Sequence, residues 1–444
     1  MNQAFANASA TGKIAKVLII GYVWPEPRSS AAGSRMMEFI QLFVAQQWQV
    51  TFASAAALSE HRADLPSLGV AEISIAVNCD SFNDVVAALQ PDLVLFDRFF
   101  TEEQFGWRVE QACPQALRVL DTVDLHSLRN TRQRLLKQAQ QAFANETQKQ
   151  SVGRVLAAPE QLYAAMADDD MAQREIAAIY RCDISLLISD TERNFLQQQF
   201  AVPATLLHHC ALMSSASVQS GTDLPFEQRR HFISIGNFRH APNWDAVLWL
   251  KHALWPAIRR QLPQAELHVY GSYPPPKAMA LHNPAQGFHM LGWAEDAHTV
   301  MVHGRVCLAP LRFGAGIKGK LADAMLCGTP SVTTAIGAEG MRGNLPWAGA
   351  VADESETFAA AAVALYQDQA LWQQARQHGS DILRLRFSKE EMAKDLLACL
   401  QDARSNQAAY RQRNFTGAML RHHLHKSTQY MSQWIAAKNK AAGQ

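Results

Sequence analysis

The sequence has no Cys-x-x-Cys pair, no apolar run of membrane-spanning length and almost no net charge, and each lack closes off a class of function. Its seven cysteines (Cys79, Cys113, Cys182, Cys210, Cys307, Cys327, Cys399) are odd in number and scattered. Several sit in apolar runs, as reduced core thiols do, so neither a disulfide framework nor structural zinc is expected. The apolar run after Lys16 is too short for a secretory core or a bilayer span, which needs about 20 residues. The expectation is a cytoplasmic protein with no transmembrane segment, still compatible with peripheral contact to a membrane. Lys and Arg (41) balance Asp and Glu (40) to a net charge of +1, which leaves no electrostatic footprint for nucleic acid. What the chain does have is bulk. Its 444 residues are 48% hydrophobic and 18% charged, enough for two or three domains with their own cores.

The first half alternates strands and helices. Lys16–Gly21 (KVLIIG) reads as a buried strand. A loop rich in Pro, Ser and Gly (Trp24–Gly33) leads into a helix predicted over Ser34–Gln47, with Met37, Phe39, Ile40 and Phe43 on its apolar face. Ser34 is either the cap of that helix or part of a ligand loop with Gly33 and Arg35. Strands are predicted at Val50–Ala53, Ala71–Val77, Asp92–Phe96 and Ala116–Leu120, with a helix over Asp84–Leu89. This rhythm predicts a parallel, doubly wound sheet, whose ligands bind beyond the carboxyl ends of the strands. Polar residues at those ends are Arg28, Ser34, Arg35, Asp97, Arg98, Asp124, His126 and Arg129. Residues 127–180 read as a helical insert without strands. Its Asp168–Asp170 triplet has helical flanks and reads as a solvated acidic turn rather than a metal ligand set. A strand over Ile184–Ser189, a helix capped by Asp190 and a strand over Ala204–His208 close this half.

Ser214–Asp223 (SSASVQSGTD) is small and polar, as linkers are. After it the rhythm restarts. Strands are predicted at His231–Gly236, Ala265–Gly271, Phe288–Leu291, Val306–Ala309 and Gly349–Ala352, with helices over Trp244–Leu262 and Asp296–Val302. The expected organisation is an α/β chain of two doubly wound domains, 1–213 and 231–401, joined by a connection over 214–230. A helical tail, 402–444, is anchored by Tyr410, Phe415, Met419, Tyr430, Met431 and Trp434. The run Arg421–Lys426 holds three histidines but no carboxylate, and reads as a solvated basic face.

The stretch Ala309–Thr334, APLRFGAGIKGKLADAMLCGTPSVTT, carries the clearest chemistry. It passes from a strand through a turn with Gly314 and Gly316 to a helix ending at Gly328, then to a strand over Ser331–Thr334. Such a βαβ unit binds phosphate at its helix N-terminus. Arg312, Lys318 and Lys320 crowd that end, where the helix dipole disfavours each cation by about 0.3–1 kcal/mol. Either the three side chains reach water or a bound diphosphate reverses the sign.

This stretch, with IGNFRHAPNWDAVLWLKHALWPAIRRQLPQAELHVYG (Ile235–Gly271), resembles the donor half of GT-B fold glycosyltransferases, most closely the retaining family 4 group (glycosyl transferases group 1). The WPEPRSSAAGSRM loop, LDTVDLHSLR (Leu120–Arg129) and ISLLISDTERNFL (Ile184–Leu196) resemble the group's N-terminal domain, so the resemblance spans roughly residues 15–400. It implies two Rossmann-like domains facing across a cleft, a nucleotide-diphosphate sugar on the second, an acceptor (glycan, lipid or protein) on the first, and a C-terminal helix that crosses back. Transfer is implied to be retaining and to need no metal or other cofactor. Two departures stand out. Asp323 takes the place of the family's ribose-binding glutamate, and Ala315 that of its sugar-contacting glutamate. Asn237, Phe238, Arg239 and His240 replace the usual Arg and Lys after the first strand of the donor domain.

From the residues and the resemblance together, Lys318, Arg312 and His126 are the candidate catalytic groups. The two cations, with Gly316 and the helix N-terminus, would stabilise the leaving diphosphate. His126 would face the sugar or, alternatively, serve as a capping histidine. Gly236, Asn237, Gly314, Lys320, Asp323 and Glu339 complete the expected donor pocket. Gly33, Ser34, Arg35 and Arg129 form the acceptor side. The competing readings are a nucleotide-sugar epimerase and a degenerate GT-B protein that binds a nucleotide sugar or a protein partner without turnover.

Overall fold

The computed structural model describes residues 14–142, 158–213 and 224–422, and residues 430, 431, 434, 435 and 438. Two parallel sheets organise it. The first contains β1 (Lys16–Gly21), β2 (Gln49–Ser54), β3 (Ala71–Ser74), β4 (Leu93–Asp97), β5 (Leu117–Asp121), β6 (Ile184–Leu187) and β7 (Leu207–His209), in the order β3-β2-β1-β4-β5-β6-β7. The second contains β8 (His231–Ile235), β9 (Leu267–Tyr270), β10 (Phe288–Gly292), β11 (Gly304–Ala309), β12 (Ser331–Thr333) and β13 (Gly349–Val351), in the order β10-β9-β8-β11-β12-β13. Each is doubly wound. The strand order reverses between β1 and β4 in one sheet and between β8 and β11 in the other, and ligands bind at such points. β4, β5 and β6 are buried along their whole length; β4 accordingly reads as the apolar run LVLF, while buried Arg118 and Ser185 interrupt the runs of β5 and β6.

Several boundaries move. The first helix runs Ala31–Ala45 and is capped by Ser30, whose side chain accepts from the Gly33 amide. Ser34 is therefore not the cap. It lies inside the helix and donates to Pro27 O at 2.9 Å. Likewise Ser189, not Asp190, caps the helix Asp190–Gln199. A helix over Phe99–Ala112 fills the gap between β4 and β5. In the insert, helices cover His126–Ala142, Pro159–Met166 and Asp170–Arg181, with Asp169 capping the last by accepting from Ala172 N. The acidic triplet is thus a helix start. The helix predicted from Trp244 begins at Ala241 and runs to Gln261 through a π turn at Leu250–Leu254.

Most of the expected linker, residues 214–223, lies outside the described residues. Arg229 already belongs to the second domain: it is fully buried and donates to Cys327 O at 2.7 Å and Thr329 Oγ1 at 2.6 Å. The return to the first domain comes earlier than position 402. The helix Lys389–Ser405 places Leu396, Leu400 and Ala403 in the same apolar cluster as Val17, Phe39 and Leu95. Further on, Arg411 grips Asp183 at 2.8 and 2.9 Å, and Asn414 donates to Tyr180 O at 2.7 Å. Of the expected tail anchors only Tyr410 packs. Phe415 and Trp434 are 76% and 60% exposed, and Met419, Tyr430 and Met431 are also exposed. Arg421 pairs with Glu110, while positions 423–426 of the basic run lie outside the described residues.

Candidate donor site in the cleft

The glycine-turn helix forms over Gly319–Leu326, with Leu321, Ala322, Ala324 and Met325 buried. Its N-terminus is pressed against the first domain, since a Cβ on Gly319 would stand 2.6 Å from Ala31 Cβ. Ala31 opens the first helix, so the positive ends of two helix dipoles meet across the cleft. Two lysines sit at that junction. Lys318, buried, donates to Gly316 O at 2.8 Å; Lys320 donates to Asn243 Oδ1 at 2.7 Å. Gly236, at the end of β8, makes room for Lys320, because a Cβ there would lie 2.7 Å from its Nζ. Neither ammonium has an ion-pair partner among the described residues. Burial pushes Lys320 down to about 8 and Lys318 in the same direction. For Lys318, Glu339, Glu192 and Asp124 offset part of that burial, whereas no carboxylate offsets it for Lys320; a buried cation without a salt bridge is costly, and an anion bound at the helix ends would remove that cost.

The turn itself closes onto the first domain. Gly316 is left-handed (φ +62°), and a Cβ there would lie 2.9 Å from Asp124 Cβ. Its amide donates to Glu192 Oε1 at 2.6 Å. Arg132, from the His126–Ala142 helix, donates to Gly314 O at 2.8 Å and to both Glu339 oxygens at 2.7 Å. Glu339 and the glycine turn are therefore latched to the first domain. Neither Arg132 nor Glu192 was a candidate from the sequence. Arg132 lies three residues beyond Arg129 on one helix face, which was a usable signal; Glu192 gave none beyond its place at a helix start.

On the first-domain bank, His126 Nδ1 lies 3.0 Å from Asp124 O and 3.3 Å from its Oδ1, and the ring meets Phe100 edge-on at 5.5 Å. Burial drives its pKa down to about 4, so the imidazole is neutral at pH 7. Burial alone would raise Asp124, but its ion pair with Arg129 and the nearby His126 hold it below the usual carboxylate range. Arg129 is thus partly neutralised. Glu175 caps the helix, accepting from His126 N, Ser127 N and Ser127 Oγ, and burial raises it to about 7. His240, at the solvent-lined edge of the second domain, lies within electrostatic range of Arg129, Asp124, Lys320 and His126, so the two banks share one field.

Three expected roles do not fit the geometry. Arg35 is fully buried and bidentate on Asp121 at 2.9–3.1 Å, with a further bond to Cys210 O at 2.6 Å. It is a strut between the first helix, β5 and the chain after β7, out of an acceptor's reach. Gly33 packs where any Cβ would collide with the Glu26 backbone, which makes it a close-approach glycine. Arg312 is bidentate on Asp245 at 2.6 and 2.9 Å, over the Trp249 ring, so its charge is already matched. Asp323 is 38% exposed and lies 3.3 Å from His298 Nε2. Asn237 reaches across the cleft to Ser29 O at 3.4 Å. There Tyr273 OH also donates to Glu26 at 2.9 Å, and His61 stacks on Trp293 at 4.3 Å.

Two doubly wound parallel sheets, facing at their carboxyl ends and clasped by a returning C-terminal helix, make up the GT-B fold of glycosyltransferases. The solved structures it resembles include HepE of Anabaena in complex with UDP and glucose (13% identity over 87% of this chain and 99% of that one, TM-score 0.59). A glycosyltransferase from Rickettsia africae (9%, 88% and 98%, TM-score 0.62) and sucrose-phosphate synthase of Thermosynechococcus elongatus (15%, 89% and 100%, TM-score 0.59) superpose similarly. At such identities the likeness is one of fold. Residues 229–368 match the family model of glycosyl transferases group 1, so this part of the chain is a glycosyl transferases group 1 domain. No curated protein matches the sequence. Among the described residues, no helix is long and apolar enough to cross a membrane.

Proposed function

We propose that the chain moves a hexose-type sugar from a nucleotide-diphosphate sugar to a glycan, lipid or protein acceptor, with retention and without a metal on the diphosphate. The observation that carries this reading is the pair Lys318 and Lys320, desolvated and, among the described residues, without a salt bridge, at the helix start that meets a second helix N-terminus. Breaking a sugar–diphosphate bond puts negative charge on the leaving phosphate, and preorganised donors aimed at that charge are the main electrostatic lever. Lys318 and Lys320 take this role, and Arg312, matched by Asp245, leaves it. Asp323 accepts ribose hydroxyls. Neutral His126 hydrogen-bonds the sugar from the opposite bank, beside Asp124 and Arg129. The UDP and glucose named with HepE agree with a uridine nucleotide and a hexose.

A second reading, binding without turnover, is favoured by one feature: the Gly316 amide that would meet the diphosphate is held by Glu192. A panel of nucleotide sugars tested by thermal shift, then by donor hydrolysis and transfer, separates the two. Turnover that Lys318→Ala cuts by at least a hundredfold in a folded protein supports transfer. Binding with no hydrolysis or transfer under any condition supports the second reading. Interconversion of the free sugar nucleotide would instead identify an epimerase.

A further inference from the structure

The second sheet carries a histidine cluster at the end away from the cleft. His231 opens β8, His268 is the second residue of β9 and His289 the second of β10. His268 and His289 are register partners across the parallel ladder, so both side chains leave the same face. Glu266, directly before β9, reaches both rings: its Oε2 lies 3.2 Å from His268 Nε2 and its Oε1 3.9 Å from His289 Nε2. One ligand-type atom of each residue lies within 4.8 Å of the other two. His231 stacks on His268 with ring centroids 3.9 Å apart. The Glu266–His268 hydrogen bond accounts for one ring only. The Nε2 atoms of His289 and His231 are buried without a hydrogen-bond partner, although buried polar atoms usually have one.

We propose that Glu266, His268 and His289 form a binding site for a divalent transition metal of the zinc class, separate from the sugar-transfer cleft. A tetrahedral zinc with ligands at about 2.0–2.2 Å holds its donor atoms roughly 3.3 Å apart. The Glu266–His268 spacing of 3.2 Å already meets this, and the His289 ring, with its ligand atom within 4.8 Å of the other two, has to move in. Two imidazoles and one carboxylate suit zinc, cobalt or nickel, whereas calcium and magnesium prefer oxygen sets. Water completes the shell on the exposed Glu266 side, and His231, stacked behind His268, fixes that ring. The lysines of the donor site lie at the carboxyl end of the same sheet, so this metal has no part in diphosphate chemistry. It ties edge strand β10 to β9.

The test uses the full chain, stripped of metal, with His422, His423 and His425 replaced by Gln so that the tail contributes no imidazoles. Titration with Zn2+ should give one saturable site per chain of micromolar affinity or tighter, and a Tm raised by several degrees. Co2+ should give the visible absorption of a tetrahedral site, and Mg2+ and Ca2+ neither signal. His268→Ala with His289→Ala should abolish both effects, and Glu266→Gln should weaken zinc about tenfold or more. His289→Gln alone serves if the double variant does not fold. The proposal is overturned if Zn2+ shows no saturable binding, or if its binding survives loss of His289.

Discussion

Lys320→Met is the most informative single change, because it should lower activity and raise stability together. In the free protein burial lowers the Lys320 pKa from 10.5 to about 8. At about 1.4 kcal/mol per pKa unit, keeping that charge in the folded state costs at most about 3 kcal/mol at pH 7, and less once solvent screening of the partly exposed side chain is counted. The sign follows from linkage. A base whose folded pKa is depressed destabilises the fold below that pKa, and the penalty fades as pH rises from 8 towards 10.5. The methionine variant should therefore melt several degrees above wild type at pH 7, with the gap closing by about pH 10. Turnover should fall about 10²–10³-fold, as for loss of one preorganised donor to a developing anion. For wild type, kcat/KM for the donor should decline above about pH 8, while kcat holds to higher pH because the bound diphosphate raises the lysine pKa. Differential scanning across pH and steady-state kinetics with a nucleotide sugar read all three. A variant that melts lower than wild type, or keeps its kcat/KM, would refute the assignment of Lys320 as an anion-binding group held against its own desolvation.

Two arginine arrangements, those of Arg132 and Arg35, make opposite predictions. Arg132→Ala breaks a largely buried bidentate pair and should cost about 3 kcal/mol. It also frees Glu339 to face Lys318, so the donor KM should rise about tenfold, with Arg132→Lys restoring only part; an unchanged donor KM counts against the latch. Arg35→Leu strands buried Asp121 and should cost about 3–5 kcal/mol, cutting soluble yield. The molecules that do fold should retain wild-type kcat/KM for acceptor, and a specific acceptor defect would restore Arg35 to the site.

Legibility followed burial. The strands are readable because β1 and β4 are covered on both faces and appear as the unbroken runs VLIIG and LVLF. The helix Phe99–Ala112 was not, because its buried face includes Glu102 and Arg108. Those charges are satisfied by Arg181 and by Asp80 with Asn83, partners far away in sequence, so the apolar periodicity is broken. The site divides the same way. Cations at a helix N-terminus are a local pattern, and both lysines lie at that helix start, Lys318 on Gly316 O and Lys320 on Asn243 Oδ1. Whether an arginine is free is a long-range property. Arg35 meets Asp121 across 86 positions and Arg312 meets Asp245 across 67, and no window of sequence contains both partners.

Ala315 and Glu192 together explain how the cleft can be closed and still receive a diphosphate. Ala315 is 8% exposed and shares an apolar cluster with Leu120, Leu125 and Leu128 of the first domain. A glutamate there would bury its carboxylate in that cluster, so the substitution is the condition for the glycine turn to dock as it does. Docking places the Gly316 amide on Glu192 Oε1, which also accepts from Leu125 N at 3.1 Å, while Oε2 has no partner. Burial, reinforced by Asp124, raises the Glu192 pKa and favours its neutral acid form. A neutral acid can stay beside a diphosphate; a carboxylate would repel it. Glu192→Gln fixes the neutral form while keeping an acceptor for Gly316. Donor affinity, measured by calorimetry, should match wild type in mild acid and exceed it several-fold as pH rises through the Glu192 pKa. Loss of Lys320 charge weakens both proteins equally and cancels in the ratio; Lys318, which Glu192 helps to keep charged, does not cancel and works against the gain, so the several-fold excess is the net effect expected. If wild type binds the donor more tightly than Glu192→Gln at high pH, the carboxylate is a partner of the bound donor's surroundings and not a gate that must be neutral.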